Sequence, residues 1–191
     1  DDQWVFSLGA GVTLAGADDP VNPRRGFRFR GEAAVHRGVR AEDASYAALA
    51  ADWRGYASLP IQHQATLALR AGAAHHLGDF PFYRANTLGE NANLRGFRSN
   101  RFAGRTSVYQ SAELRLQLLT FSTYLAIGQL GVLGFVDNGR VWWDDEPSNS
   151  TWHQGYGGGV WASLFGQLLL NGTVGRSVEE TTFTLGFGFQ Y

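Results

Sequence analysis

Long runs of strict apolar/polar alternation constrain this chain more than any other feature. Trp4, Phe6, Leu8, Ala10, Val12 and Leu14 alternate with Val5, Ser7, Gly9, Gly11 and Thr13. Val108, Ala112, Leu114, Leu116 and Leu118 alternate with Tyr109, Ser111, Glu113, Arg115 and Gln117. Phe183, Leu185, Phe187, Phe189 and Tyr191 alternate with Thr182, Thr184, Gly186, Gly188 and Gln190. Successive side chains of a strand point to opposite faces, so a period of two makes one face apolar and the other polar. The polar faces carry charge in mid-strand, with Arg28, Arg30 and Glu32 between Phe27, Phe29 and Ala33, and Arg70 between Leu69 and Ala71. A soluble sandwich would turn such a face to water. A transmembrane barrel turns it to the lumen and gives the apolar face to lipid. Two features favour the barrel. Several runs reach the ~9–11 residues that cross a bilayer at a tilt. Trp4, Trp53, Trp142, Trp143 and Tyr191 fall near the expected strand ends, where interfacial aromatic girdles lie.

Composition narrows the classes further. The 191 residues are those of one domain, expected as a barrel over 1–191. A net charge of −1 gives no footprint for nucleic acid. All 16 basic residues are Arg, which forks onto carboxylates better than Lys does. The absence of Cys excludes disulfides, zinc-thiolate sites and thiol nucleophiles. The 25 Gly and 14% aromatic residues are high for a water-soluble domain. No run approaches the ~18 apolar residues of a membrane helix.

Nine strands are predicted, over 3–15, 26–37, 43–54, 61–75, 107–119, 129–143, 154–164, 167–175 and 180–191, with no helix of useful length. The segment from Tyr46 to Asp52 has helical propensity, but it lacks a 3.6-residue stripe and bridges two strands. Connections alternate between tight and long, with a short turn at 165–166 against a polar loop at 144–153 and a very long one at 76–106; 16–25, 55–60, 120–128 and 165–166 fall on one side and 76–106, 144–153 and 176–179 on the other. Outer-membrane barrels show this asymmetry, with short periplasmic turns and long extracellular loops. A loop as long as 76–106 is functional or disordered in most folds.

That loop contains Leu94-Arg95-Gly96-Phe97. About forty residues later comes Phe135-Val136-Asp137-Asn138-Gly139, and Glu113 lies between the two on a polar strand face. One loop arginine and two strand carboxylates are the parts of a buried ionic contact that would pin the loop. The residues alone leave open that Arg95 is simply solvated at a loop tip. Gly139 shares a face with Asp137 and leaves room for a loop to approach. Other candidates carry less. The His75-His76 pair lacks a third metal ligand at usable spacing. Asp144-Asp145-Glu146 reads as a solvated loop before it reads as a cation site. The Gly155–Gly159 run has no following Lys or helix to make a phosphate cradle; its alternate glycines thin one strand face or permit a bend. No Ser/His/Asp set has persuasive spacing. No catalytic residue, metal or cofactor is expected.

Three stretches, in order and on this strand pattern, resemble the bacterial surface antigen superfamily, which holds outer-membrane barrel-assembly proteins and two-partner-secretion transporters. Phe80-Pro81-Phe82-Tyr83 followed by Asn93-Leu94-Arg95-Gly96-Phe97-Arg98 is similar to the family's lumen-entering loop with its Arg-Gly-aromatic signature. Gly134-Phe135-Val136-Asp137-Asn138-Gly139-Arg140-Val141-Trp142 is similar to its aromatic-x-Asp-x-Gly strand. Phe187-Gly188-Phe189-Gln190-Tyr191 resembles its terminal strand. The resemblance covers roughly 20–191. It implies that Arg95 enters the lumen and bonds Asp137, with Glu113 as second partner, and that Gly96, Phe97 and Gly139 complete a loop lock. It also implies a C-terminus on the periplasmic side.

The implied function is insertion of proteins into, or their translocation across, the bacterial outer membrane. The implied partners are outer-membrane lipids, lipopolysaccharide and unfolded outer-membrane or secreted client proteins, with no nucleic acid. The alternatives from other classes are a passive anchor for a fused or partner domain, such as a hydrolase, and a small-solute pore. The chain departs from the family in offering about nine strands against roughly sixteen, and no periplasmic repeat domains. An odd strand number with an extracellular start is the pattern expected of the C-terminal part of a larger barrel.

Overall fold

The computed structural model describes residues 4–39, 44–61, 64–124, 127–144 and 151–189. In chain order the elements are β1 (Val5–Ala15), β2 (Gly26–Gly38), β3 (Tyr46–Leu59), β4 (Ala65–Gly78), β5 (Asn86–Leu88), α1 (Glu90–Asn93), β6 (Phe102–Gly104), β7 (Thr106–Ser122), β8 (Ile127–Trp142), β9 (His153–Leu164), β10 (Leu168–Arg176) and β11 (Thr181–Phe187). Nine of the strands form one sheet in the order β1-β2-β3-β4-β7-β8-β9-β10-β11, and β5 and β6 pair separately inside the long loop. Every neighbouring pair is antiparallel. Each of the nine therefore pairs with the next of the nine along the chain, β4 and β7 being joined by the long loop, and this satisfies backbone groups laterally across a membrane. Among the described residues β1 and β11 are the two edges, and the sheet is open between them.

The two faces follow from register. Arg28 lies opposite Arg54, Arg54 opposite Arg70, and Arg70 opposite Ser111. Arg30 lies opposite Asp52, and Glu32 opposite Ala50. Glu113 lies opposite Ala68 and Phe135. Arg28, Arg30, Glu32, Arg70, Glu113 and Arg115 thus share one face, as the alternation predicts. The other face leaves large apolar side chains uncovered, with Phe6 and Leu8 more than two-thirds exposed and Leu185 at 73%. Packing is the inverse of a soluble protein. Leu133, Phe135 and Trp161 are buried on the polar face, beside buried Glu113, Arg115 and Asp137.

Several boundaries differ from expectation: β4 spans Ala65–Gly78 where 61–75 is predicted, and β7 runs on to Ser122, past the predicted 119. β3 runs on to Leu59, past the turn predicted at 55–60, because Tyr56 pairs with Ala68 and Leu59 with Ala65. Gly55 is no breaker there, since the Trp53 ring lies over it and shields the strand where a side chain is missing. Trp53 consequently sits in mid-strand, not at the girdle position predicted for it. β11 ends at Phe187, short of the predicted 191. Gly188 has φ +75, a left-handed conformation that only Gly adopts at little cost. It breaks the alternation and turns Phe189 onto the polar face, where its ring meets Trp161 edge-on at 5.7 Å. Finally, α1 places one helical turn in a loop for which no helix is predicted.

The connection 16–25 folds under the sheet. Ala17 packs on Tyr56 and Ala68. Arg24 donates to Gln117 at 2.6 Å and Gln129 at 3.2 Å, and also bonds Gln64. Asp18 accepts the backbone N–H groups of Arg24 at 2.9 Å and Arg25 at 3.1 Å. Burial opposes the Asp18 charge, but these bonds outweigh it and hold the carboxyl below its ordinary value.

Two outcomes are expected. Ala50 and Ala51 are neighbours on opposite faces. A nitroxide at Ala50→Cys should respond to a water-soluble relaxation agent, and one at Ala51→Cys to oxygen dissolved in lipid; the reverse would invert the faces. Asp18 has a folded pKa below its unfolded value of 3.8. Its contribution to turn 16–25 is therefore complete above the unfolded value and lost as pH falls through the folded one. Amide shifts of Arg24 and Arg25 should titrate with a midpoint below 3.8; a midpoint at or above that value contradicts the assignment.

Candidate functional site

The connection between β4 and β7 is a folded unit. A 3-10 turn at Phe82–Arg84 follows Pro81, and β5 then pairs with β6 through Asn86 with Gly104 and Leu88 with Phe102. Asn93 ties the interior of the loop, accepting from the Gly89 N–H at 2.9 Å and donating to the Thr87 carbonyl at 3.1 Å. The Glu90 N–H donates to the Phe97 carbonyl at 3.0 Å and closes the tip. Leu88, Leu94 and Phe97 are fully buried and pack with Phe102, Tyr109 of β7 and Val141 of β8. Burying each such side chain is worth roughly 1.5–3 kcal/mol relative to exposure. The loop is thus docked on the polar face of the sheet by its own apolar core.

Glycines make the seat. A Cβ on Gly139 would stand 2.8 Å from a Leu88 methyl. A Cβ on Gly155 of β9 would collide with the Arg95 carbonyl oxygen. Gly96 has φ +88, and a Cβ there would lie 2.8 Å from the Arg176 carbonyl carbon. At Gly96 both backbone conformation and space exclude a side chain.

In that seat Arg95 is 5% exposed, and Asp137 and Glu113 are each 1% exposed. The Arg95 guanidinium forks onto Asp137, Nε to Oδ2 and Nη2 to Oδ1, both at 2.8 Å. Its backbone N–H adds a third bond to Oδ2 at 3.0 Å. Nη1 donates to Glu113 Oε2 at 2.5 Å. The guanidinium carbon lies 3.4 Å from the Phe135 ring centroid, a cation–π contact in a desolvated setting. Glu113 is shared, because Arg115 Nε donates to its other oxygen at 2.8 Å. Ser111 bonds Asp137 from the same face. Both carboxylates are therefore paired and hydrogen-bonded, the condition under which buried charge is tolerated.

The Omp85 superfamily domain matches residues 1–191. The chain belongs to the Omp85 superfamily. No curated protein matches it. Membership of the Omp85 superfamily goes, in general, with insertion or transport of proteins at the bacterial outer membrane. In an Omp85 sheet the polar face is the lumen face and the apolar face meets lipid. The match covers the entire sequence, including the first strand, which carries none of the three motif stretches.

The predicted residues of this Omp85 chain gather at one point, with Arg95, Gly96 and Phe97 on the loop and Glu113, Asp137 and Gly139 on the strands beneath. The terminal-strand residues do not share a location. Phe187 projects from the apolar face at 81% exposure, Phe189 turns to the polar face, and Tyr191 lies outside the described residues. His75 and His76 point to opposite faces; His75 bonds Thr106, while His76 meets the Phe80 ring at 4.6 Å. Asp144 pairs with Arg105 at 2.7 Å, and Asp145 and Glu146 lie outside the described residues.

Other contributors carry little signal in the sequence. Ser111 and Arg115 could be found only by their parity with Glu113. Gly155 belongs to a glycine run whose spacing does not show what fills the vacated space. Two rim contacts, Arg98 with Glu180 at 3.0 Å and Arg101 with Glu179 at 2.7 Å, tie the loop to the β10–β11 turn across about eighty residues of sequence.

Arg95→Ala leaves two buried carboxylates without their shared cation and should cost ~3–5 kcal/mol. Urea unfolding in detergent, followed by heat-modifiable mobility, would read this as a lower midpoint. The double variant with Asp137→Ala should lose much less than the sum of the single losses. Additive losses would show that the two residues do not act as a pair. Gly155→Val should displace the loop tip and expose Arg95 to protease while the sheet persists.

Proposed function

We propose that the chain forms the wall of an outer-membrane barrel in which the folded loop is a lumen element locked by Arg95, and that it assists insertion of proteins into the bacterial outer membrane or their passage across it. The observation that carries this reading is the clamp of Arg95 by Asp137 and Glu113 at the tip of a loop with its own apolar core. A loop needed only to join two strands requires no buried ionic seat. The uncovered apolar face supports contact with outer-membrane lipid, and arginines at the loop end suit the phosphates of lipopolysaccharide. The clients are unfolded outer-membrane or secreted proteins, whose extended segments suit strand addition to a sheet.

The work needs no catalytic group. It needs a lumen element that holds its position while a client moves past, and a clamp of a few kcal/mol that can yield. Reconstitution in liposomes with an unfolded barrel client tests the reading. The wild-type chain should speed client folding, scored by heat-modifiable mobility, and Arg95→Ala and Asp137→Asn should return it toward the rate of protein-free liposomes. Acceleration unchanged in both variants would remove the lock from the mechanism. No acceleration by the wild type, and no passage of a secreted client, would refute the function.

A further inference from the structure

The lock uses only part of the charge on the lumen face. One transverse row, from β2 to β4, sets Arg28 opposite Arg54 and Arg54 opposite Arg70. Adjacent strands lie only ~4.8 Å apart, and like charges directly opposite repel. Asp52, one step along β3, is the acid that serves this row. Its Oδ1 accepts Arg54 Nε at 2.6 Å, and its Oδ2 accepts Arg70 Nε at 2.7 Å and the Tyr109 hydroxyl at 2.5 Å. Asp52 is thereby saturated by Arg54, Arg70 and Tyr109. Glu32 is engaged by Arg30, and Glu113 and Asp137 are engaged by Arg95, Arg115 and Ser111. Among the described residues Arg28 has no hydrogen-bond or ion-pair partner.

Among the described residues the balance of the face is positive. Arg28, Arg30, Arg54, Arg70, Arg115 and the loop's Arg95 stand against Glu32, Asp52, Glu113 and Asp137. Among the described residues Arg24, below the row, bonds neutral glutamine oxygens through its guanidinium. Arg28 is half-buried, whereas the Arg54 and Arg70 side chains are 24% and 11% exposed, so a guest reaches the row from its Arg28 end. Guanidiniums present forked N–H donors that match carboxylate and phosphate oxygens, and a low-dielectric wall focuses their field.

We propose that the Arg28–Arg54–Arg70 row is an oxyanion-binding site in the lumen, which takes a carboxylate or phosphate group of a guest passing the locked loop. Arg28 is the residue with donors to spare, and Arg54 supports it across the strand pair. The site is separate from the clamp, whose carboxylates are all committed.

Titration calorimetry on the refolded full chain in a non-ionic detergent tests this, with hexaglutamate and inorganic pyrophosphate as probes. At least one should bind, and more weakly as NaCl rises. Arg28→Gln should weaken that binding ~10-fold, the order expected for losing a charge-assisted bond. Arg30→Gln, which removes a paired guanidinium, should change it less than about twofold. Arg28→Lys keeps the charge and loses the fork, so it should fall between the two and covers the case in which the Gln variant does not refold. Binding of hexaglutamate assigns polypeptide carboxylates as the source; binding of pyrophosphate alone assigns phosphate. No binding of either probe, or equal loss in Arg28→Gln and Arg30→Gln, overturns the proposal.

Discussion

The clamp between Arg95 and the Asp137–Glu113 pair organises the lumen side of this protein. It gathers the tip of a loop, the middle of β7 and the middle of β8 at one buried point. Neither carboxylate would be stable there without the guanidinium, since an isolated buried charge costs several kcal/mol. The guanidinium in turn has its position fixed by Gly96, Gly139 and Gly155, whose missing side chains let backbones come into contact. Ion pair and glycine seat are one device. The first supplies directional bonds, and the second supplies the space in which those bonds can form out of water.

Around that point the protein is packed inside out. Its large apolar residues face outward along the strands, and its buried polar residues share the inner face with Phe135, Leu133 and Trp161. In water such an arrangement would aggregate, because contiguous exposed apolar surface seeks a partner. In a bilayer the lipid is that partner, and the strands satisfy their backbone groups laterally. The Omp85 family match and this distribution describe the same object from different directions.

Charge on the lumen face does two jobs. Near the loop it is fully compensated and structural. On β2–β4 the arginines outnumber the acids available to them; Asp52 bridges Arg54 and Arg70, while among the described residues Arg28 stands in register with Arg54 and is not bridged. A protein that needed only stability would gain by replacing Arg28 with a neutral residue.

The sequence by itself determined the strands, their two faces and the pairing of each strand with the next. Alternation with period two is a local property, and tight turns leave neighbouring strands little choice of partner. It also contained the parts of the clamp, as three short stretches in order. Only the tertiary structure decided how these parts meet. That Gly155 seats the Arg95 carbonyl, that Arg115 shares Glu113, and that three arginines fall in one row depend on cross-strand register between residues far apart in the chain. Phe189 shows the limit most plainly. Alternation assigns it to the lipid side with Phe187, but the positive φ of Gly188 sends it into the lumen against Trp161. A single backbone torsion overrides a periodic pattern because it redirects everything after it, and composition does not reveal which glycine will use its freedom.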